Sequence, residues 1–326
     1  MPIPLLRFPL LVLDEVIKTM GLPQLFMFSL CSKRMHLVAK TLGGRSMELG
    51  LWLSGSDDSV SFFLDEKNKS ITLLNLRGRA MTTSQVEGWS VDMNRGAVFQ
   101  ETPNGLRCYW ADMEEGTRCL VEHICDLFGV LVNKVIFEGD LIWIMDLVEQ
   151  RQGPRSYEAL CMSLNDEQCN RMSVELNPTS LSLWGPPSES FRIERFHKTY
   201  DTVTLLSGNW ITGENLLTLD CSRLVFQIFT KRFTAAEINR FLRHVLIEGG
   251  ALRLIEFVAW VEHSDANGIL EGIRDALAPI PGEEQFQNNG WKWEFVGMMH
   301  RGGQSLRVSI TCGLLQMVEL SFHSLN

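Results

Sequence analysis

Apolar residues recur at spacings of three and four from the first turn of the chain. Leu10, Leu13, Val16, Ile17 and Met20 make one stripe, which predicts an amphipathic helix. Pro9 suits its first turn, because proline lacks an N–H and its φ is already near the helical value. Gly21 ends it. Leu22, Leu25, Phe26 and Phe28 predict a second short helix, and Leu30, Met35, Val38 and Leu42 a third, stopped by Gly43 and Gly44. Three helices in so short a segment cannot hide all their apolar side chains from water. The surplus must dock on the following domain or on another protein.

The texture then changes to short β-like runs. "ELGLWL", "SVSFFL" and "SITLLNL" are divided by the polar turns "SGSDD" and "DEKNK", which predicts an antiparallel meander. Between 76 and 106 the pattern is weak, with strands expected at "AVFQ" and "LRCYW". From about 116, helix-like and strand-like segments alternate: "TRCLVEHICDLFG", "KVIFEG", "LIWIMDLVEQ", "SYEALCMSL", "NDEQCNRMSVEL" and "SLSLWG". With Ile136, Leu160, Leu183 and Leu205 as strand markers the steps are 24, 23 and 22 residues. That period fits a leucine-rich-repeat-like stack with one strand and one helix per turn, although an asparagine ladder is missing. Alternation alone also fits an ordinary βαβ sheet; the period favours the curved stack.

Further on, Thr234 with Glu237 forms a capping box. Ile238, Phe241, Leu242, Val245 and Leu246 continue it as a full helical stripe, closed by Gly249 and Gly250. "LLTLD" before this helix and "LRLIEFVAW" after it read as strands. "WKWEFVGMM", "SLRVSITC" and "LLQMVELSFH" predict a closing antiparallel meander of three strands.

Composition narrows the function. The 326 residues are 45% hydrophobic and 21% charged, as in a globular protein. Thirty basic residues against 39 acidic ones give a net charge of −9, which argues against nucleic-acid and anionic-membrane partners. The apolar start lacks a basic n-region and a cleavage site, and no window approaches a membrane span, so an intracellular protein is expected. Eight scattered cysteines fit a reducing compartment. In "CLVEHIC", Cys119 and His123 share a helical face but Cys125 points elsewhere, and no second ligand pair stands at zinc spacing. Neither a phosphate-binding glycine loop nor a G-x-S-x-G elbow occurs, and the seven histidines are dispersed. No catalytic residue, metal or cofactor is expected. A cysteine-dependent hydrolase, built from residues distant in sequence, is the weakest alternative. Trp184, beside the rigid Gly185-Pro186-Pro187 turn, could anchor a partner, but large aromatics more often pack under their own turn.

The segment "PLLRFPLLVLDEVIKTMGLPQLFMFSLCSKRMHLVAK" resembles an F-box, with a Phe-Pro start, an acidic-then-aliphatic first helix and a Ser-Lys-Arg run opening the third. It departs from the pattern at Met35, where many F-boxes carry Trp, and at Phe8, where Leu is commoner. The resemblance implies that a Skp-family adaptor, and through it a cullin, covers the surplus apolar surface. Carried over, the adaptor-binding residues are Phe8, Pro9, Leu10, Leu13, Ile17, Leu25, Phe28, Ser29, Ser32 and Lys33. Each apolar one is equally open to holding the helices together, because interface and core draw on the same residue types. The block from about 200 to 275 resembles the F-box-associated type 2 domain of a large nematode F-box family, more loosely from 110. The organisation implied is an α+β chain: an F-box at 1–45, a small β-rich connection at 46–110, and a repeat-like α/β domain at 111–326 that presents a concave surface to an unidentified protein substrate. The rival reading is a repeat-type interaction scaffold whose N-terminal helices merely cap its core.

Overall fold

The computed structural model describes residues 9–43, 49–56, 59–66, 69–77, 90–93, 97–102, 105–110, 112–185, 188, 191–193, 196, 198–206, 210–247, 254–261, 266–289, 292–301, 304–313 and 317–324. The chain divides into two compact units, Met1–Glu158 and Ala159–Asn326.

The first unit opens with α1 (Leu10–Thr19), α2 (Leu22–Leu30) and α3 (Lys33–Gly43). Pro9 is the N-cap of α1, and Pro23 sits in the first turn of α2. The central helix is α2: Leu22, Leu25, Phe26, Met27, Phe28 and Ser29 are all buried, against only Leu13 and Ile17 in α1 and Ala39 in α3. Seven strands follow: β1 (Gly50–Ser56), β2 (Ser59–Glu66), β3 (Lys69–Arg77), β4 (Ser90–Met93), β5 (Ala97–Thr102), β6 (Gly105–Trp110) and β7 (Val132–Glu138). They form a sheet in the order β7-β1-β2-β3-β6-β5-β4. The β1-β2-β3 meander is antiparallel as expected, but β1 pairs β7 and β3 pairs β6 in parallel.

Helix α4 (Met113–Phe128) packs on β2 and β3 on one side and on α2 and α3 on the other, and α5 (Trp143–Gln152) packs on β7. Asp112 caps α4 by accepting the N–H groups of Glu114 and Glu115, and Gly129, at φ +66°, ends it in the left-handed conformation. Gly116 lets this helix close onto the Trp110 ring: a Cβ there would sit 2.4 Å from the indole.

The second unit carries β8 (Glu158–Met162), α6 (Asp166–Val174), β9 (Ser180–Trp184), β10 (Thr199–Leu205), α7 (Gly213–Leu217), β11 (Asp220–Phe233), α8 (Ala235–Leu246), β12 (Leu254–Val261), α9 (Ala266–Leu270), β13 (Phe286–Asn288), β14 (Lys292–Arg301), β15 (Gln304–Gly313) and β16 (Met317–Ser324). Its strand order is β8-β9-β10-β11-β12-β16-β15-β14-β13. The pairs from β9 to β12 are parallel and those from β12 to β13 antiparallel, so the expected closing meander is present. Three capping boxes start α6, α7 and α8: Asn165 with Gln168, Thr212 with Asn215, and Thr234 with Glu237. The second of these corrects the reading of "LLTLD" as a strand. The box begins α7 at Gly213, so Leu216 and Leu217 are helical and the strand opens only at Asp220.

Strands β9 and β10 and their flanking turns are joined at an offset of 22 residues, against 21 from β10 to β11 and 31 from β11 to β12. Ser180 pairs with Thr202, and Leu183 with Leu205. Hydrogen bonds join Asp166 to Ser188, Ile193 O to Asn215 Nδ2, and Phe196 N to Thr218 Oγ1, each across 22 residues. The core between strands and helices is aromatic: Phe226 stacks on Phe257 at 4.7 Å, and Phe257 on Phe241 of α8 at 4.9 Å.

Candidate functional site

Exposure within the three-helix module is uneven. Leu10, Leu11 and Val12 are 65, 80 and 43% exposed and Leu37 of α3 is 62% exposed, whereas Leu13 and Ile17, one turn apart on α1, are buried. Three consecutive exposed aliphatic residues at a helix start form an apolar surface of the kind that partners cover.

Of the residues carried over from the family resemblance, Pro9, Leu10, Ser32 and Lys33 are exposed, and Leu13, Ile17, Leu25, Phe28 and Ser29 are buried. Phe8 lies outside the described residues. Ser32 accepts the N–H of Met35 at 3.2 Å and so helps to start α3.

The buried side meets α4 through a polar cluster that connects residues some 90 positions apart. Ser29 Oγ donates to Phe26 O at 2.6 Å within its own helix and lies 2.7 Å from His123 Nε2. A hydroxyl has one proton to give, so His123 Nε2–H is the donor to Ser29. Burial, together with the neighbouring His36, lowers the His123 pKa to about 4, which leaves this imidazole neutral at physiological pH. Phe26 stands edge-on to the His123 ring at 5.5 Å, and His36 at 4.7 Å. His36 Nε2 in turn lies 2.8 Å from Asp126, which also pairs with Lys40. Those two partners hold the Asp126 carboxyl below its usual range, the lysine hydrogen bond contributing most. His123 therefore sits in a hydrogen bond to a neighbouring helix, and no metal-ligating group of three side chains occurs among the described residues.

Cysteine chemistry finds little support. None of the eight cysteines forms a disulfide, and burial raises the thiol pKa of Cys108, Cys125, Cys161, Cys169, Cys221 and Cys312, with Cys125 at about 11 and Cys169 at about 12. The exposed Cys31 is raised as well. A raised thiol holds little thiolate and is a poor nucleophile.

Trp184 is 42% exposed. The expectation that it packs under its own turn fails because β9 alternates: Leu181 and Leu183 point into the core, and the last residue of the strand points out. Gly185, at φ +94°, turns the chain there, and Trp184 O accepts from Ser163 N. Among the described residues, no helix is long and apolar enough to cross a membrane.

Comparison with known proteins agrees with this division. Residues 5–44 match the F-box domain, and residues 193–257 match the F-box associated family. The chain thus carries an F-box domain followed by an F-box-associated domain, a make-up that supports a substrate-receptor role in a ubiquitin ligase. It is 24% identical over 294 residues to the Skn-1 dependent zygotic transcript 15 protein of Caenorhabditis elegans, a span covering 82% of each chain. No solved structure matches it.

Proposed function

We propose that the chain is the substrate-receptor subunit of a Skp–cullin–F-box ubiquitin ligase. The first unit binds the adaptor through α1 and the start of α3, and the second unit holds the target. The observation that carries this reading is the exposure of Leu10, Leu11 and Val12 all round the first turn of a helix whose later residues Leu13 and Ile17 are already buried. Pro9, Leu10, Ser32 and Lys33 touch the adaptor directly. Leu13, Ile17, Leu25 and Phe28 act behind them by fixing the helices. The 22-residue lacing of β9, β10 and their flanking turns supports a short repeat-like stack in the second unit.

The chain performs no bond chemistry of its own in this reading. Holding the target beside a ubiquitin-charged enzyme raises the effective concentration of its lysines, which is sufficient for rate enhancement. The contacts of α3 with α4 favour one part of the scaffold reading, since these helices do cap the following sheet. They leave the exposed first turn of α1 unused, which the scaffold reading does not account for.

Titration of the purified chain with a Skp-family adaptor tests the proposal. Micromolar or tighter binding, lost in a Leu10→Asp/Leu11→Asp variant that melts like wild type, is the expected result. A well-folded wild-type chain that ignores the adaptor overturns it in favour of the scaffold.

A further inference from the structure

A receptor that works by proximity does not distinguish the lysines of its target from its own. Lysine is among the commonest residues of globular proteins, yet only nine of the 30 basic residues in this chain are lysine and 21 are arginine. Ala159–Asn326, the unit assigned to the target, holds Lys198, Lys231 and Lys292 against 11 arginines. A guanidinium carries the same charge as an ammonium but stays protonated and supplies no free amine for acylation.

Most lysines with described side chains have their amine engaged. Lys18 pairs with Asp14 at 2.7 Å and with Glu15 at 3.1 Å, and Lys40 pairs with Asp126. Lys134 lies over the Trp52 ring, 5.7 Å from its centre. Lys198 is half-buried, and its amine donates to Leu176 O just beyond α6. Lys33 is exposed, but it opens α3 on the surface assigned to the adaptor.

Lys292 differs from all of these. Strand β14 turns Trp293 and Phe295 into the core, so Lys292 is turned outward and is exposed. Its backbone is held on both sides: its N–H donates to Asn289 Oδ1 at 2.8 Å, and its C=O accepts from Asn289 N at 3.2 Å. Its amine makes no ion pair among the described residues. It borders a cavity of about 260 Å³, lined also by Glu284, Gln287 and Glu294, which leaves space beside it.

We propose that Lys292 is the residue of the second unit to which the assembled ligase attaches ubiquitin. The inference rests on the receptor reading and adds a modification site to it. The Lys292 ammonium gives one proton to water, and the amine attacks the thioester carbonyl that joins ubiquitin to its carrier enzyme. The C–N bond of an isopeptide forms, the C–S bond breaks, and the departing thiolate takes up the second amine proton. Nothing is oxidised or reduced.

Two measurements on the full-length chain test this. In the first, N-hydroxysuccinimide acetate in limiting amount acetylates the free chain, and mass spectrometry ranks the lysines. Lys292 is expected to react faster than Lys198, whose amine is bonded. In the second, the chain is incubated with adaptor, cullin core, activating and carrier enzymes, ATP and ubiquitin, and the glycine-glycine remnants left by trypsin are mapped. Within 159–326 the remnant is expected on Lys292. Lys292→Arg, which keeps the charge, is expected to abolish conjugation of this unit and to bind adaptor like wild type. Remnants on Lys198 or Lys231 at the level of Lys292, or undiminished conjugation of the unit in Lys292→Arg, overturn the proposal. So does slower acetylation of Lys292 than of Lys198. A chain that binds adaptor but carries no ubiquitin within 159–326 sinks the Lys292 site and leaves the receptor standing. A folded chain that ignores the adaptor sinks the receptor, and the site with it.

Discussion

Residue Ser29 acts inside the protein, although a serine in the middle of an apolar helix reads naturally as a contact for something outside. Its hydroxyl bonds Phe26 O and receives the His123 proton, and it is 2% exposed. The consequence is a pH dependence set by His123. The unfolded chain takes up a proton near pH 6.5 that the folded chain refuses until about pH 4. Stability is therefore complete above pH 6.5 and falls as the pH drops toward about 4, by up to ~3 kcal/mol for the whole shift. Asp126, held below its usual range, acts in the same direction at still lower pH. Urea unfolding at a series of pH values checks this: His123→Gln, which keeps a donor but cannot titrate, is expected to show a shallower decline than wild type. A parallel contrast separates the first turn of α1 from the rest of the helix. Ile17→Ala, at a buried position, is expected to cost about 2–4 kcal/mol in the same assay, and Leu10→Asp to leave stability unchanged.

At the scale of elements, α4 is the piece on which the first unit is assembled, since β2, β3, α2 and α3 all rest against it. Gly116→Ala places a methyl group 2.4 Å from the Trp110 ring and is expected to destabilise the chain by about 1–3 kcal/mol in urea unfolding. Asp126→Asn removes an exposed ion pair to Lys40 and weakens a hydrogen bond to His36, together worth less than about 1 kcal/mol. It is expected to raise amide exchange in α3 by no more than about fivefold, with α2 unchanged. Helices α1 to α3 were legible because Pro9, Gly21 and Gly43 punctuate strong apolar periods. Which side of α1 faces water was not, because Leu10 continues the stripe of Leu13 and Ile17 without a break in spacing. The β3–β6 and β1–β7 pairings left no local trace, since parallel partners are chosen by the tertiary fold. Strand β4 escaped because four residues of "SVDM" are too short for alternation to register. Helix α7 escaped for another reason: its capping box uses Asn215 where glutamate or glutamine is the usual signature, and "NLLTLD" otherwise looks like a strand. The exposure of Trp184 was readable in "SLSLW", where two inward leucines put the tryptophan outward.

For the whole molecule, two compact units follow one another, and the first carries the exposed aliphatic first turn of α1. The −9 net charge argues against a nucleic-acid partner. Raised pKa values make seven of the eight thiols, all but Cys119, poor nucleophiles. Hydrogen–deuterium exchange of the full chain, with and without a Skp-family adaptor, tests the central claim most directly. The account predicts slowed exchange in α1 and at the start of α3, with β14, β15 and β16 unchanged. Adaptor binding that leaves α1 and α3 unprotected, or a folded chain that shows no protection at all, would contradict it.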